Sequence, residues 1–260
     1  MTLISETFSR TGDENRSTLI SYVMGGDPDP VSFIEYARAV ASVSDIVEVG
    51  IPFSDPIADG PTIQAASIRA LSSHTRVGTV FEACSEISKR APVAVMCYYN
   101  TIHRMGEKMF VSQLLAAGVS GVIVPDLPYE EGTALRRECR SGGIDSILLA
   151  SPATGNGRAA KIARYTSGFL YVISRYGVTG EQSSLSGQVI PMISKYRKIS
   201  DKPIAIGFGI SSPDQVKTIA SAGADGVVVG SAIVSRIGKG EKASDISDFV
   251  TSLKKGTVRS

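Results

Sequence analysis

Eight short apolar segments recur along the chain, and this repetition constrains the fold more than any other feature. Each segment is rich in Val and Ile and is bounded by Gly, Pro, Asp or Ser, which is typical of a buried parallel strand. The segments cover residues 19–24, 45–50, 93–98, 121–126, 145–150, 169–174, 203–209 and 226–234. The stretches between them are long enough for helices. The sequence therefore predicts strands that alternate with helices.

The intervening stretches carry apolar residues at helical spacing, as Val80, Cys84 and Ile87 do. Strand and helix alternating eight times is the pattern of an α/β protein with a (β/α)8, or TIM, barrel. A length of 260 residues allows two average domains or one large barrel. The repetition favours a single barrel domain over residues 1–260. The longer gaps after the second and sixth strands predict active-site loops there, with plain surface insertions as the alternative.

Composition argues against several functional classes. Lys and Arg number 27 and Asp and Glu 25, so the formal net charge of +2 gives no support for a protein that binds nucleic acid or a membrane surface. No apolar stretch reaches the roughly 20 residues that span a bilayer, and the first residues do not resemble a signal peptide. The 3 separated cysteines and 2 histidines predict neither a disulfide framework nor a metal site. We therefore expect a soluble, cytoplasmic protein that binds no metal.

A phosphate site is predicted where the last two strands end. Gly207 and Gly209 end the seventh strand, and Ser212 and Pro213 form a helix start, with Ser as the N-cap and Pro in the first turn. The pair 230–231, Gly and Ser, ends the eighth strand and opens another short helix. Glycines let the backbone approach a ligand, and helix-start amides point donors at an anion. Simple turns are the alternative reading of each glycine pair.

A candidate acid and base lie early in the chain. Alternation along the second strand puts Glu48 on the same side as Ile46 and Gly50, near the strand's end. Partial burial there raises a carboxyl pKa and suits it to proton transfer near neutrality. Asp59 follows on the next loop and can reach the same cavity. The alternative for Glu48 is an ion-paired residue at a strand end, and the alternative for Asp59 is a residue that stabilises a turn.

Two further polar residues are placed to approach a ligand. Asp126 closes the fourth strand, and Tyr171 lies within the sixth. Aromatic residues also fill barrel interiors routinely, so a core role is the alternative for Tyr171.

One segment, residues 48–64, is highly specific for a single protein family. The run EVGIPFSDPIADGPTIQ, residues 48–64, resembles the signature of the tryptophan synthase alpha subunit family. Companion motifs occur in the family's order and cover essentially the whole chain: GGDP at 25–28, VPDLP at 124–128, SRYGVTG at 174–180, GFGI at 207–210 and GSAIV at 230–234. The last two also recur in other phosphate-binding barrels.

The resemblance implies a lyase that cleaves indole-3-glycerol phosphate into indole and glyceraldehyde 3-phosphate by a retro-aldol reaction. It implies that Glu48 is the principal acid/base, that Asp59 holds the indole N–H, and that Tyr171 lines the site beside them. The implied indole pocket comprises Tyr22, Met96, Asp126, Leu149 and Phe208, with Thr179 on a lid that excludes water. The implied phosphate site comprises Gly180, Gly209, Gly230 and Ser231.

The resemblance also implies a partner. The family works with a pyridoxal-phosphate-dependent beta subunit in an alpha2-beta2 assembly, so no cofactor is expected in this chain. Pro52, Phe53 and Asp55 would face that partner. The sequence departs from the expected family pattern at Tyr22, where Phe is usual, and at His103, where an apolar residue is common.

Two alternative functions remain. One is a non-catalytic regulatory subunit that binds a phosphorylated ligand; the presence of both Glu48 and Asp59 argues against it. The other is a different phosphate-binding barrel enzyme, such as a sugar-phosphate isomerase. Such sites commonly need Lys or Asp at the end of the first strand, where this chain has SYVM at 21–24.

Overall fold

Eight parallel strands close into a barrel in the order in which they follow along the chain. The structure, a computed structural model, describes residues 1–173, 185–207 and 209–259. The strands are β1 (Thr18–Met24), β2 (Ile46–Gly50), β3 (Val93–Met96), β4 (Gly121–Ile123), β5 (Asp145–Ala150), β6 (Leu170–Ile173), β7 (Ile204–Gly207) and β8 (Gly226–Val229). The α/β barrel predicted from the sequence is therefore confirmed.

Helices connect the strands and surround the barrel. They are α1 (Leu3–Asp13), α2 (Pro30–Ala41), α3 (Pro61–Ser72), α4 (Val77–Ile87), α5 (Tyr99–Met105), α6 (Glu107–Ala116), α7 (Thr133–Gly142), α8 (Asn156–Tyr165), α9 (Leu185–Arg197), α10 (Pro213–Ser221), α11 (Ser231–Gly238) and α12 (Ala243–Lys255). The predicted start of α10 is confirmed, because the Ser212 side chain accepts a hydrogen bond from the Gln215 N–H at 3.3 Å and Pro213 opens the helix.

Several strands are shorter than predicted. The eighth was expected to reach residue 234, but it ends at Val229 and α11 begins at Ser231. The third and fourth strands end at Met96 and Ile123 rather than at 98 and 126. The apolar runs continue past these ends as buried helix faces or loop residues. A short apolar run does not by itself distinguish these states.

Helix α1 closes the base of the barrel. Ile4 and Phe8 are buried against the apolar interior, and the ring centroids of Phe8 and Phe169 lie 5.3 Å apart. Two glycines make room for this helix: a Cβ at Gly121 would lie 2.6 Å from the Ile4 Cδ1, and one at Gly226 would lie 3.0 Å from the Phe8 ring. Among the described residues, α1 therefore fills the amino-terminal end of the barrel, which leaves the carboxyl ends of the strands for a site.

A buried carboxylate, that of Asp45, joins several elements on the outside of the barrel near its closed end. Asp45, directly before β2, accepts two hydrogen bonds from Arg16, at 2.6 and 2.9 Å, and one from the Leu19 N–H at 2.9 Å. Lys254 lies 3.0 Å away. Burial opposes the ionisation of Asp45, but these hydrogen bonds and charges outweigh it and lower its pKa. The carboxylate thus links β1, β2 and α12.

Two further findings concern membranes and cysteines. Across the described ranges, no helix combines the length and apolar character needed to cross a membrane. All three cysteines, Cys84, Cys97 and Cys139, are buried and carry free thiols.

Candidate active site

A cavity of about 190 Å³ lies at the carboxyl ends of the barrel strands. Most of the residues that the sequence singled out line it together. These are Tyr22, Glu48, Asp59, Met96, Leu149, Tyr171, Gly209, Gly230 and Ser231. The cavity size and its mixture of apolar walls with a few polar groups are typical of a small-molecule site.

Glu48 is the most unusual group in the cavity. It lies within β2, opposite Tyr22 of β1 in the strand register, and is only 1% exposed. Its Oε2 has no hydrogen-bond partner within the described part of the chain. Burial, and then the nearby charge of Asp59, raise the pKa of Glu48 from 4.5 to about 8. A carboxyl group that holds its proton at neutral pH can act as a general acid.

Asp59 reaches the same cavity from the loop after β2. Its Oδ2 accepts a hydrogen bond from the Tyr98 hydroxyl at 2.9 Å. Burial raises the pKa of Asp59, and the Tyr98 hydrogen bond partly offsets this by favouring the charged form. Two carboxyl groups in different hydrogen-bonding environments therefore share one cavity, so each can take its own role in one reaction.

Sequence reasoning missed Tyr98. The residue was assigned to the third strand, whereas it stands just before α5, where its hydroxyl reaches the loop after β2. Its position after a barrel strand, on the face that carries active sites, is the signal that could have identified it.

Two tyrosines form the walls beside Glu48. Tyr22 and Tyr171 are 5% and 8% exposed, and the ring of Tyr171 lies against Gly207, where a Cβ would come within 2.9 Å of it. Burial, together with the nearby charges of Glu48 and Asp59, raises the pKa of both phenols well above the usual value, so both remain neutral. The carboxyl groups thus face a wall of neutral, largely aromatic surface.

The opposite rim has the features of an anion site. Gly209 has a positive φ of 61°, which favours glycine. Helix α11 begins at Ser231, and its N-cap residue, Gly230, has no side chain to cap the helix start. The uncapped N–H groups and the positive end of the helix dipole point towards the rim. This end of the cavity suits a phosphate group.

Asp126 does not line this cavity. It is exposed, accepts a hydrogen bond from the Tyr99 N–H at 2.9 Å, and lines an adjoining cavity of about 280 Å³. The sequence predicts that Asp126 closes the fourth strand, whereas β4 ends three residues earlier, at Ile123. Thr179, Gly180 and Phe208 lie outside the described residues.

The described side chains show no cluster suited to a metal. Within residues 1–173, 185–207 and 209–259, no group of three or more His, Cys, Asp or Glu residues is arranged to hold an ion.

Comparisons with known proteins show which family this chain is similar to. Residues 8–257 match the family model described as "Tryptophan synthase alpha chain". The tryptophan synthase alpha chain of Trichormus variabilis is 42% identical, with 98% of each chain covered. That of Arabidopsis thaliana is 39% identical, covering 98% of this chain and 95% of the relative.

Solved structures are similar over the same extent. A chain of Mycobacterium tuberculosis tryptophan synthase has a TM-score of 0.92 and 32% identity, covering 100% of this chain and 99% of that one. A chain of the tryptophan synthase α2β2 complex of Pyrococcus furiosus has a TM-score of 0.86 and 36% identity, covering 92% and 98%. The resemblance inferred from the motifs is confirmed, and this chain belongs to the tryptophan synthase alpha chain family.

Proposed function

We propose that this chain is the alpha subunit of a tryptophan synthase and cleaves indole-3-glycerol phosphate into indole and glyceraldehyde 3-phosphate. The observation that carries the proposal is Glu48: a buried carboxyl group with one unpartnered oxygen and a pKa of about 8, facing a cavity that has an anion site on its far rim. Cleavage of the bond between the indole ring and the glycerol chain needs an acid in that place.

The chemistry explains the need. Indole is a poor leaving group until its C3 carbon is protonated. A neutral Glu48 carboxyl donates that proton, the carbon–carbon bond breaks, and its electron pair returns to the ring. The hydroxyl on the neighbouring glycerol carbon loses its proton as the aldehyde carbonyl forms, and the Glu48 carboxylate receives it. The proton balance of the site is thereby restored after each turnover.

Asp59 and Tyr171 complete the reacting end. In its ionised form, Asp59 accepts a hydrogen bond from the indole N–H and stabilises the positive charge that protonation creates on the ring. Tyr171 supplies a neutral wall that keeps water from the reacting carbon. Tyr22, Met96 and Leu149 provide the remaining apolar surface for the indole.

The phosphate lies at the other rim in this proposal. Gly209, Gly230 and Ser231 offer backbone N–H groups and a hydroxyl to its oxygens. Thr179, Gly180 and Phe208 are assigned here from the resemblance alone, as lid, phosphate and indole residues respectively. Asp126, in the adjoining cavity, then lies beside the indole pocket rather than in its wall.

The proposal includes a partner. A beta subunit carrying pyridoxal phosphate would convert the released indole into tryptophan in an alpha2-beta2 assembly, and the alpha chain itself would need no cofactor. The Pyrococcus furiosus relative belongs to such an α2β2 complex. In this chain Ile57, on the loop after β2, is 76% exposed, and we expect the beta subunit to contact that loop.

We also assign the enzyme to the cytoplasm. The three free, buried thiols are typical of a reducing compartment.

Indole release tests the proposal. The chain, alone and with a tryptophan synthase beta subunit, is incubated with indole-3-glycerol phosphate, and indole is measured. We expect release by the wild type and none by Glu48→Gln, which should still bind indole-propanol phosphate. Glu86→Gln, on the outer helix α4, is the matched control and should match the wild type. Ligand binding without indole release in either condition would favour the non-catalytic regulator.

A further inference from the structure

We propose that Tyr98 is a positioning residue of the lyase site, whose hydroxyl holds the Asp59 carboxylate towards the indole nitrogen. The inference rests on the proposed function, because it concerns how one of its two carboxyl groups is held. It adds to the site a residue that lies outside the wall of the catalytic cavity.

The direction of the two hydrogen bonds at this hydroxyl is fixed. The Ala58 N–H lies 3.0 Å from the Tyr98 oxygen, and a backbone N–H can only donate. The Tyr98 oxygen is therefore the acceptor in this contact, which leaves its own proton free for the Asp59 Oδ2 at 2.9 Å. The hydroxyl thus joins the backbone and the side chain of two successive loop residues.

The ring of Tyr98 is held as firmly as its hydroxyl. It is 3% exposed and stacks on Phe53, with the ring centroids 5.0 Å apart and the planes 19° from parallel. Phe53 is itself fixed, because its N–H donates to the Ser67 Oγ and its carbonyl accepts from the same hydroxyl group, both at 2.8 Å. Tyr98 therefore contacts the loop after β2 near its start, through Phe53, and near its end, through Ala58 and Asp59.

Asp59 depends on this contact. Within the described part of the chain, Tyr98 is the only side chain that donates a hydrogen bond to the Asp59 carboxylate. The Asp59 backbone is held separately, by its N–H to the Pro56 carbonyl at 3.1 Å and by the Gln64 amide on its carbonyl at 3.0 Å. Loss of the Tyr98 hydroxyl therefore frees the carboxylate and removes the acceptor of the Ala58 N–H, while the Asp59 backbone keeps its contacts with Pro56 and Gln64.

This arrangement predicts a specific change in pH dependence. Burial raises the Asp59 pKa, and the Tyr98 hydrogen bond lowers it. Removing the donor leaves the burial in place, so the Asp59 pKa rises further. Ionised Asp59 is the form that accepts the indole N–H, and the acidic limb of kcat/KM should therefore move to higher pH. A role confined to folding would leave that limb where it is.

Tyr98→Phe keeps the stacked ring and removes only the hydroxyl. We expect kcat to fall about 10- to 100-fold, with a smaller change in KM, because the phosphate rim is untouched. The acidic limb should move to higher pH. Tyr99→Phe is the matched control, because the Tyr99 hydroxyl bonds to Glu107 at 3.1 Å, outside the cavity. The kcat of this variant and the acidic limb of its kcat/KM profile should equal those of the wild type.

A third variant separates ring from hydroxyl. Tyr98→Leu loses both, and we expect it to lower the melting temperature; Tyr98→Phe should restore that temperature without restoring the pH profile. An unmoved acidic limb in a folded Tyr98→Phe would overturn the proposal.

A second measurement does not need activity. The pKa of Asp59, followed by ¹³C NMR of its carboxyl carbon, should be higher in Tyr98→Phe than in the wild type and unchanged in Tyr99→Phe. If the wild type released no indole, the proposed function would fail while this comparison still decided whether Tyr98 holds Asp59. An equal Asp59 pKa in wild type and Tyr98→Phe would refute the positioning role.

Discussion

The hydroxyl of Tyr22 occupies the space that a side chain at position 50 would fill, because a Cβ on Gly50 would overlap the phenol oxygen. The same hydroxyl lies 3.9 Å from the Met24 sulfur. Strands β1 and β2 pair Tyr22 with Glu48, two residues before Gly50. The absence of a side chain at Gly50 therefore decides where one wall of the catalytic cavity stands.

Gly50→Ala should displace this wall. The ring is rigid and enclosed, so ring or strand must move, at a cost of about 1–3 kcal/mol of unfolding free energy. We expect kcat/KM for indole release to fall as well. Denaturant unfolding and steady-state kinetics measure both. Tyr22→Phe in the same background should recover part of the loss by removing the overlapping oxygen. Gly78→Ala, in open space on α4, should cost nothing.

Glu48→Gln should stabilise the protein in a pH-dependent way. The pKa of Glu48 rises from 4.5 to about 8 on folding, so the native state binds more protons than the unfolded chain between those values. The stability of the wild type therefore falls as pH rises through that range, whereas a neutral Gln avoids the loss. Linkage gives a difference of about 3 kcal/mol at pH 7 and almost none below pH 4. If the free energies of unfolding of the wild type and Glu48→Gln differed by the same amount at every pH in this range, the raised pKa of Glu48 would be contradicted.

Asp59→Asn should lower the pKa of Glu48. The Asp59 charge is the smaller of the two causes that raise it, and burial is the larger. The Glu48 pKa should therefore drop below 8 but remain above 4.5. A ¹³C NMR titration of the isolated chain, with the Glu48 signal assigned by its loss in Glu48→Gln, measures this. Asp55→Asn, an exposed carboxylate on the same loop, should leave the signal unchanged.

Asp45→Asn should destabilise the barrel without changing the catalytic rate. Asn keeps an acceptor for the Leu19 N–H but leaves Arg16 and Lys254 without their buried counter-charge. We expect a loss of roughly 3 kcal/mol at neutral pH. Since folding lowers the Asp45 pKa, this stabilisation exists above the unfolded value of 3.8 and disappears as pH falls through the lower folded value. The free energies of unfolding of the wild type and Asp45→Asn should therefore become equal at acidic pH.

The sequence predicted those parts of the site that strand alternation controls. Glu48 points into the cavity because it lies an even number of residues from Ile46 and Gly50 on a strand whose two faces differ. Gly230 and Ser231 were placed correctly at a strand end, although the strand was extended too far, because glycine and serine mark the turn whatever follows.

Loop conformation was not predictable in the same way. Asp126 and Tyr98 both stand a few residues beyond short strands, and their positions depend on how each loop turns after the last paired residue. No periodic pattern encodes that turn. The Tyr98 contact also joins residues 39 positions apart, and only the closed barrel brings them together.

Helix α1 closes one end of the barrel. Ile4 and Phe8 seal the end opposite the cavity, with Gly121 and Gly226 allowing a close fit. Among the described residues, the catalytic cavity therefore lies at the end of the barrel opposite α1, at the carboxyl ends of the strands. A partner subunit docked at the carboxyl ends of the strands would lie next to Glu48, so the alpha chain would release its product beside that partner.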